Sequence, residues 1–507
     1  MPHIGAAQAI NPDATFGAAG RVYTSFTNSE GSAEAVAVQA DQKIVAAGTV
    51  WPTYDWVATR YLPSGQPDPT FGVNGVQIFN FGFSNEDCYA LAIQPADGKL
   101  LLGGQANGSF AVLRLLPNGQ PDPAFDTDGR VQISFGVGSG STIEQLLVQP
   151  DGKIVAVGWA WNGTDFDFAA ARFLPTGAPD GTFGTGGMKL IPMGTERDQA
   201  RAALLQPDGK IVLVGASYGG IPSEPRFGIC RLTATGALDT SFGTGGKTVS
   251  TLAPTQGSTP WSVVRQTDGK LVVGGEADSD MAVARYTAAG ALDATFGTNG
   301  YRLLDPSNGS QDRAYTVALQ PNGKILLSGH SFVNRPGALH DVCIARFTSG
   351  GAPDASFGTG GALLVTLNNY SSTAHSMVWQ ADGKPVFAGA TSMGQASGVS
   401  FGLLRLTSAG VTGLADADGE SIGEAAVFPN PLTADSRFRF SLARAGRVRV
   451  ELIDALGRQV ALLAADAAAR PPGAYSLPLP VGVAPGAYFV RLLTADAARA
   501  VRVLRGK

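Results

Sequence analysis

The sequence contains 507 residues, 44% of them hydrophobic and 15% charged, and carries a formal net charge of −4. A chain of this length exceeds one ordinary core, so we expect either several domains or a repeat array with an additional domain. The negative net charge argues against nucleic acid as the main partner, and the absence of any apolar run of about 18 residues argues against a membrane-spanning helix.

The N-terminal segment MPHIGAAQAINPDATFG lacks the charged and apolar regions of a secretory signal peptide. The small residues of AAQA, which end at Ala9, nevertheless resemble the end of such a signal. We therefore hypothesise that the true start lies upstream or that a signal has been trimmed. A frayed, alanine-rich leader is the alternative.

A pattern built around a lysine, an arginine and a phenylalanine recurs seven times. The lysine follows a turn at Lys43, Lys99, Lys153, Lys210, Lys270, Lys324 and Lys384. The arginine ends an apolar segment at Arg60, Arg114, Arg172, Arg231, Arg285, Arg346 and Arg405. The phenylalanine follows an aspartate by three residues at Phe16, Phe71, Phe125, Phe183, Phe242, Phe296 and Phe357. Successive lysines or arginines recur with a period of roughly 54–61 positions, which indicates a repeat array.

The segment QPDGKIVLVG, from Gln206 to Gly215, predicts a β-hairpin within each repeat. Proline presets φ at the first corner of the turn, and glycine supplies the left-handed residue that lets the chain reverse. FGICRL and GGKTVSTL then follow as a third and a fourth strand. Four short strands per repeat predict the blade of a β-propeller. A solenoid and a tandem set of sandwiches are the alternatives.

The two ends of the array favour a closed propeller. The segment after Arg405 lacks an Asp-x-x-Phe-Gly motif and a fourth strand, whereas residues 13–17 and the following GRVYTSF supply both at the N-terminus. We therefore predict an all-β, seven-bladed β-propeller over residues 10–410, with an N-terminal strand closing the last blade. Closure of this kind removes exposed sheet edges.

Nearly all of the length variation lies between the second and third strands of a repeat. The spacing from the repeated lysine to the repeated arginine differs between repeats, as the close pair Lys99–Arg114 and the distant pair Lys324–Arg346 illustrate. The spacing from each arginine to the next phenylalanine is constant. This variable loop carries aromatic and acidic residues that suit glycan stacking or protein recognition. The candidate ligand-binding residues are Trp51, Tyr54, Trp56, Trp159, Trp161, Asp165, Phe166 and Tyr218. Alternatively, these aromatic residues pack as local core over the edge of a blade.

The repeated lysine, arginine and aspartate are interpreted as structural. A catalytic residue is needed once, whereas a residue that holds a blade together is needed in every blade. The arginine and aspartate lie eight residues apart, close enough to pair or to bind backbone carbonyls. Cys88, Cys230 and Cys343 give neither a disulfide framework nor a metal-binding spacing, and the loops at Asp126 and Asp416 lack the pattern of a calcium loop. No cofactor and no metal are therefore expected.

The motifs LQPDGKIVLVGAS, FAVLRLLPNGQPDPAFDTDG and LDTSFGTGGK resemble the delta-60 repeat. That family consists of bacterial, mostly secreted or surface-located repeats that are regarded as β-propellers. The resemblance recurs in every unit and spans residues 10–410. It weakens at Gln42, which stands where the other turns have glycine, and at GVTGLADADG, which lacks the Phe-Gly ending. The family implies no established reaction.

The C-terminal segment has a different pattern, which FPNP at Phe428–Pro431 opens. The alternation of Val448, Val450 and Leu452 predicts a half-buried strand, and a turn follows at Leu456-Gly457. Several strands of this kind predict a small Ig-like β-sandwich over residues 428–507. Residues 411–427 are the expected linker and cleavage region.

This segment resembles the type A C-terminal sorting domain of the type IX secretion system of Bacteroidota, on the motifs FPNP, GRVRVELIDALGRQVALL, PGAYSLPLP and APGAYFVRLL. The resemblance implies export by the type IX machinery and a secreted or cell-surface location. The sorting-motif residues that it implies are Phe428, Pro429, Asn430, Pro431, Gly457, Gly486 and Tyr488. The segment departs from the family in having SLPLP where Trp-Asp-Gly is usual.

These patterns predict a secreted or cell-surface, non-enzymatic propeller that is exported through its C-terminal domain and binds a glycan or protein on the variable-loop face. The alternatives are a structural component of a surface layer and a propeller that degrades polysaccharides. An enzyme of that kind needs a singular carboxylate pair or nucleophile near the axis. Asp165 and Asp167 are candidates, but nothing in the sequence distinguishes them.

Overall fold

The computed structural model of the protein describes residues 11–27, 29–136, 140–219, 224–252, 257–309, 311–320, 322–335, 338–368, 370–394, 398–407, 422–428, 436–442, 445, 447–454, 459–466, 468–471, 473–480, 482–483, 486–493 and 498–505. Every regular element among these residues is a β-strand. The chain divides into two compact units, one built from residues 1–319 and 324–407 and one that contains residues 408–507. Within the described residues, no helix has the length and apolarity needed to cross a membrane.

The described residues of the larger unit form seven antiparallel, four-stranded sheets, and in each the first to fourth strands are neighbours in that order. Sheet 1 contains β2 to β5 (Glu30–Val38, Ile44–Trp51, Asp55–Tyr61, Val76–Phe79), sheet 2 β6 to β9 (Glu86–Ile93, Leu100–Ala106, Ser109–Leu115, Arg130–Ile133) and sheet 3 β10 to β13 (Ser141–Val148, Ile154–Trp161, Phe166–Phe173, Met188–Ile191). Sheet 4 contains β14 to β17 (Asp198–Leu205, Ile211–Ser217, Arg226–Leu232, Lys247–Ser250), sheet 5 β18 to β21 (Ser258–Arg265, Leu271–Ala277, Asp280–Tyr286, Tyr301–Leu304) and sheet 6 β22 to β25 (Asp312–Leu319, Ile325–Arg335, Ala338–Phe347, Ala362–Val365). Sheet 7 contains β26 to β28 (Ser376–Trp379, Pro385–Ser392, Val399–Arg405) and, as its fourth strand, β1 (Arg21–Thr24).

The turn between the first and second strands forms as the sequence predicts. In sheet 4 the backbone N–H of Gln206 donates to the Lys210 carbonyl at 2.8 Å, and the N–H of Gly209 donates to the Gln206 carbonyl at 2.9 Å. Gly209 has φ +81°, a value that glycine adopts without strain. Gln42 replaces this glycine in sheet 1 and takes the same left-handed conformation, with φ +68°.

The repeated lysine, arginine, aspartate and phenylalanine lock each sheet to the next. Arg60 Nε donates to Asp68 Oδ2 at 2.8 Å, and Lys43 Nζ lies 3.2 Å from the same oxygen. A second guanidinium nitrogen of Arg60 donates to the Pro117 carbonyl in sheet 2, and the guanidinium lies over the Phe71 ring. The same arginine–aspartate pair occurs at Arg114–Asp122, Arg172–Asp180, Arg231–Asp239, Arg285–Asp293, Arg346–Asp354 and Arg405–Asp13. The structural interpretation of these residues agrees with the contacts they make.

The N-terminal segment lies beside the last repeat. β1 pairs with β28, with Arg21 opposite Leu404. Arg405 Nε lies 2.9 Å from Asp13 Oδ2, and Arg405 also donates to the Pro63 carbonyl at 2.6 Å. The first strands of neighbouring sheets contact one another, and β26 of sheet 7 contacts both β22 of sheet 6 and β2 of sheet 1.

The part of the smaller unit that the structure describes forms two antiparallel sheets. Its strands are β29 (Ile422–Phe428), β30 (Arg437–Leu442), β31 (Arg449–Asp454), β32 (Gln459–Ala465), β33 (Gly473–Pro478), β34 (Gly486–Leu493) and β35 (Ala498–Arg505). Sheet 8 has the order β29-β30-β33 and sheet 9 the order β32-β31-β34-β35. Buried apolar residues of both sheets, among them Phe440 and Leu452, form one core.

The predicted boundary of this unit is wrong by several residues. Residues 422–427 were expected in the linker, but they belong to β29, whose backbone pairs Ile422 with Leu442 and Val427 with Phe438. The rest of the predicted linker, residues 411–421, lies outside the described residues, as do Pro429, Asn430, Pro431 and Gly457 of the sorting motif. Of the other motif residues, Phe428 ends β29, Gly486 begins β34, and Tyr488 is buried in β34.

Candidate functional site

A β-bulge interrupts the first strand of sheets 1 to 6 at the same place. In sheet 1 the pairing register shifts between Ala33 and Ala35, which leaves Glu34 as the extra residue. The corresponding residues of the other sheets are Tyr89, Glu144, Arg201, Trp261 and Tyr315, and in sheet 7 the corresponding residue is His375, directly before β26. Bulges of this kind redirect a side chain and are common beside functional sites.

A glycine in the second strand makes each bulge possible. A Cβ atom on Gly158 would lie 1.8 Å from the Thr142 carbonyl oxygen, so no larger residue fits there. The equivalent glycines are Gly48, Gly104, Gly215, Gly275, Gly329 and Gly389, and each faces a carbonyl at 1.8 to 2.2 Å in the same way. The spacing from the bulge residue to this glycine is the same in every sheet except sheet 2, where Tyr89 and Gly104 are one position further apart. This spacing is a sequence signal for the site.

The seven bulge residues line one chamber of about 480 Å³. All seven are half-buried. Their positions are equivalent, yet the residues are chemically diverse: two glutamates, two tyrosines, an arginine, a tryptophan and a histidine. The residue before each of them is uniformly apolar, as Ala33, Cys88, Ile143, Ala200, Pro260, Ala314 and Ala374. If the fold alone determined the residue at this position, the same type of residue would recur in every sheet. The diversity therefore indicates a further constraint, such as a ligand, that differs from sheet to sheet.

Glu34 and His375 form an ion pair between sheets 1 and 7. Glu34 Oε2 lies 2.9 Å from His375 Nδ1, and the Ser32 hydroxyl donates to Glu34 Oε1 at 2.5 Å. Burial by itself would raise the pKa of Glu34, but the adjacent imidazolium outweighs it and lowers that pKa below 4.5. Burial would likewise lower the pKa of His375, but the Glu34 carboxylate raises it above 6.5. The pair is therefore ionised in weakly acidic solution.

A second ion pair links sheets 3 and 4. Arg201 donates to Glu144 Oε1 at 2.6 Å, and the Trp159 indole N–H donates to the same oxygen at 3.0 Å. The Arg201 guanidinium lies 4.7 Å from the ring centroid of Trp261. Trp159, a residue of the predicted site, is thereby connected to the chamber.

Aromatic contacts continue around the chamber from sheet 5 to sheet 7. The ring centroids of Trp261 and Tyr315 are 5.2 Å apart, and those of Tyr315 and His375 are 4.9 Å apart. Arg313 lies over Trp261 and donates to Glu276 Oε2 at 2.6 Å. The chamber therefore presents aromatic surface between two ion-paired regions.

The structure places the sequence-predicted aromatic residues in different environments. Phe166 packs edge-on against both Trp159 and Trp161, with ring centroids 4.9 and 5.2 Å away. Trp51, at the end of β3, is half-buried, and Tyr54 is 40% exposed. These positions leave at least part of each side chain accessible to a ligand.

Three further predicted residues are held by neighbours. Asp165 accepts from the Asn162 amide at 2.5 Å, and Tyr218 lies under the Arg197 guanidinium at 4.2 Å. Trp56 is fully buried in the core and packs against Phe81 with the two rings tilted by 53°. The assignment of Trp56 to an exposed binding surface is wrong, because the ring faces the neighbouring sheet and not the solvent.

Three carboxylates meet where sheets 5 and 6 adjoin. One oxygen from each of Asp280, Asp305 and Asp312 lies within 4.8 Å of the others. Burial, followed by the neighbouring carboxylates, raises the pKa of Asp280 to about 6. Burial is also the largest cause that raises the pKa of Asp312 to about 6. Among the described residues, this is the group with the oxygen donors to hold a metal ion.

Seven repeated four-stranded sheets, whose first strands line one chamber, define a β-propeller repeat protein. Six segments match the family model described as "Domain of unknown function (DUF5122) beta-propeller": residues 39–71, 96–125, 149–183, 206–242, 266–296 and 320–357. These segments extend from the turn after the first strand to the repeated phenylalanine. No curated protein matches the chain.

Several solved structures are similar to the chain at low identity. A virginiamycin B lyase from Staphylococcus aureus with quinupristin has a TM-score of 0.46 and 12% identity, over 76% of this chain and 98% of that one. A fungal alcohol oxidase in complex with copper has a TM-score of 0.46 and 14% identity, over 96% of this chain and 98% of that one. YCF48 bound to D1 peptide has a TM-score of 0.42 and 11% identity, over 76% and 95%.

Proposed function

We propose that this protein is a non-enzymatic binding module whose chamber takes a neutral carbohydrate. The observation that carries the proposal is the chemical diversity of the six bulge residues and His375, which line one chamber. A volume of about 480 Å³ is within the range of small-molecule sites. It suits a short glycan segment better than a folded partner.

The charges of the chamber favour an uncharged ligand. Glu34 is balanced by His375, and Glu144 is balanced by Arg201. Each ion pair still has oxygen or nitrogen atoms that can bind the adjacent hydroxyl groups of a sugar. Trp261 supplies an aromatic surface for the apolar face of a sugar ring. Trp159 and Trp161 would extend the binding surface toward the variable loops.

Ion pairing is also the reason that binding is proposed and not hydrolysis. A glycosidase needs one carboxyl group with a raised pKa to protonate the leaving oxygen. His375 lowers the pKa of Glu34 instead, and Glu144 is held by a guanidinium and an indole N–H. A structural surface-layer role would require no ligand in the chamber, so a ligand distinguishes the two possibilities.

We further propose that the seven sheets form a closed ring. The pairing of β1 with β28, the Glu34–His375 contact and the Arg405–Pro63 hydrogen bond all join the two ends of the array, and they support this arrangement. The N-terminal strand would then complete the seventh blade and leave no free sheet edge between the ends.

The smaller unit is proposed to be a β-sandwich that acts as a type IX sorting domain, with a secreted or cell-surface location for the protein. The resemblance of FPNP and the following strand motifs to that family supports the proposal. So does the arrangement of residues 422–505 in two sheets around one core. Fractionation of cells that produce the chain with and without residues 422–507 tests it. Periplasmic retention of the truncated protein is expected, and an unchanged distribution would remove the export role.

The binding proposal is tested with the full chain on a glycan array, followed by calorimetry with the glycans it retains. Glu144→Gln preserves shape but removes the ion pair, and we expect it to weaken binding at least about tenfold with a small change in Tm. Trp161→Ala tests the extension toward the loops, and Asp97→Asn, in the turn between β6 and β7, is the control. A peptide library forms the second arm. Retention of peptides and no glycan, or glycan binding that Glu144→Gln leaves intact, would overturn the proposal.

A further inference from the structure

The acidic cluster of Asp280, Asp305 and Asp312 is built by three strand ends on one edge of the fold. Asp280 begins β20, Asp305 follows β21 directly, and Asp312 begins β22 of the next sheet. The backbone N–H of Asp312 donates to the Ser279 carbonyl at 2.7 Å, which fixes Asp312 beside the turn before Asp280. Two of the three carboxylates are therefore placed by regular strands, and Asp305 lies one residue beyond a third strand.

Equivalent positions in two other sheets pair an acceptor with a donor. Asp280 lies five residues before the repeated arginine, and Asp305 lies nine residues after the repeated phenylalanine. At these positions the first sheet has Asp55 and Asn80, and the Asn80 amide donates to Asp55 at 2.5 Å. The sixth sheet has Asp341 and Thr366, and the Thr366 hydroxyl donates to Asp341 at 3.1 Å. In the fifth sheet both positions are carboxylates, so neither supplies a proton to the other when both are ionised.

The same backbone exists in the chain without the acids. The turn between the second and third strands of sheet 2 has two left-handed residues, Asn107 and Gly108, like Asp278 and Ser279 in sheet 5. The N–H of Ser141 donates to the Gly108 carbonyl at 2.9 Å, as Asp312 does to Ser279. The positions that correspond to Asp280, Asp305 and Asp312 are all serines there: Ser109, Ser134 and Ser141. The fold therefore does not require carboxylates at this place.

Asp312 contributes a buried oxygen that lacks a partner. Asp312 has no exposed surface. Its Oδ2 accepts a hydrogen bond from the Ser307 hydroxyl at 2.9 Å. Its Oδ1 makes no hydrogen bond of ordinary geometry with the described residues, although the Ser331 hydroxyl lies close enough to lower the pKa of Asp312 in part. A buried carboxylate oxygen without a donor is costly unless a cation or a proton satisfies it.

We propose that Asp280, Asp305 and Asp312 bind a calcium ion. All three ligands are oxygen atoms, which hard divalent cations prefer. Asp305 is exposed, Asp280 is half-buried and Asp312 is buried. An ion can therefore reach the cluster from solvent and remain partly hydrated. Calcium accepts an irregular set of protein oxygens and waters, whereas magnesium demands a near-ideal octahedron. The ion would join sheet 5 to sheet 6.

The experiment uses the full chain after treatment with a chelator. Calorimetric titration with calcium chloride is expected to give one saturable site with a Kd on the order of 10⁻⁴ to 10⁻³ M, the range of extracellular modules. Calcium is also expected to raise Tm in a concentration-dependent manner. Wild-type protein that shows neither saturable heat nor a Tm shift would overturn the proposal. Magnesium binding as tight as calcium binding would overturn the choice of ion.

Two variants separate a metal site from a mere cluster of repelling charges. Asp280→Asn is expected to weaken calcium binding at least about tenfold, because it removes a charged ligand, and to raise Tm in the absence of calcium, because it relieves repulsion. The double variant D280S/D305S installs the serines found at the equivalent positions of sheet 2, and it should abolish the calcium response while remaining folded. Asp55→Asn, at the equivalent position of sheet 1, is the control and should leave the response unchanged. A calcium response that survives in D280S/D305S contradicts the assignment.

Discussion

His375 Nδ1 lies 2.9 Å from Glu34 Oε2, although the two residues belong to opposite ends of the repeat array. The contact joins the seventh sheet to the first, and both residues also line the chamber. One ion pair therefore contributes to the association of the two ends of the array and to the charge of the proposed binding site. Its ionisation should be visible in stability as well as in binding.

We predict that the Glu34–His375 pair stabilises the protein most between about pH 4.5 and pH 6.5. The pKa of Glu34 is lowered below 4.5, so its contribution is present above that value and lost as pH falls through the folded-state pKa. The pKa of His375 is raised above 6.5, so its contribution is present below that value and lost as pH rises through the folded-state pKa. The measurement is the Tm of wild type and of His375→Gln across this range, and the difference should be largest near its middle.

His340→Gln is the control for this pH dependence. Burial lowers the pKa of His340, whereas the pKa of His375 is raised, so His340 is less protonated than His375 at any pH in this range. A difference that His340→Gln reproduces, or a wild-type advantage that grows steadily above pH 7, would contradict the role of the ion pair.

The sheets were predictable from the sequence because their signals are local. The Pro-Asp-Gly turn, the apolar strands and the repeated arginine recur within each repeat, and each acts within that repeat or on the adjacent one. The strand of residues 422–427 was missed because its flanking sequence, rich in small and acidic residues, is also typical of a linker. Alternation over so short a stretch does not distinguish the two.

The chamber was not predicted because its residues look like polar interruptions of an apolar strand. Only the bulge turns Glu34 or Arg201 toward the chamber, and the bulge is marked by a glycine at a nearly fixed spacing further along the chain. The sequence also did not allow us to predict which aromatic residues of the variable loops are exposed to solvent. Tyr54 and Trp56 are two residues apart, but one is 40% exposed and the other is fully buried. Tyr54 lies in the turn before β4 with φ +57°, whereas Trp56 lies within β4 and packs against the next sheet.

Breaking one repeated lock should be strongly destabilising. Asp68 is 1% exposed and accepts a hydrogen bond from Arg60, which is 4% exposed. Asp68→Asn leaves that guanidinium without its counter-charge, and we expect a loss of about 3–5 kcal/mol in the free energy of unfolding. Urea-induced unfolding measures it. The control, Asp97→Asn, removes a more exposed partner of Lys99 and should cost less than about 1 kcal/mol. If the two variants lose the same free energy of unfolding, the Arg60–Asp68 pair does not have the stabilising role that we assign to it.

Substitution of the glycine opposite a bulge by alanine should displace the bulge residue that lines the chamber. In Gly158→Ala the new Cβ would lie 1.8 Å from the Thr142 carbonyl oxygen, so strand β10 must shift and Glu144 with it. We expect a loss of about 1–3 kcal/mol or more in the free energy of unfolding and weaker ligand binding. Gly181→Ala is the matched control, because its Cβ would meet no atom within 4 Å. If Gly158→Ala is tolerated as well as Gly181→Ala, the glycine does not determine the bulge.

The two aromatic residues of the first variable loop should respond oppositely to truncation. Trp56 is fully buried against Phe81, so Trp56→Ala leaves a large cavity and should cost about 3–5 kcal/mol in the free energy of unfolding. Tyr54 is 40% exposed, so Tyr54→Ala should change that free energy by no more than about 0.5 kcal/mol. Denaturant unfolding of both variants, with near-UV circular dichroism to report on the Trp56 environment, makes the comparison. A stable Trp56→Ala protein that lost only ligand binding would return Trp56 to the binding surface, because a residue that packs solely in the core cannot be removed without loss of stability.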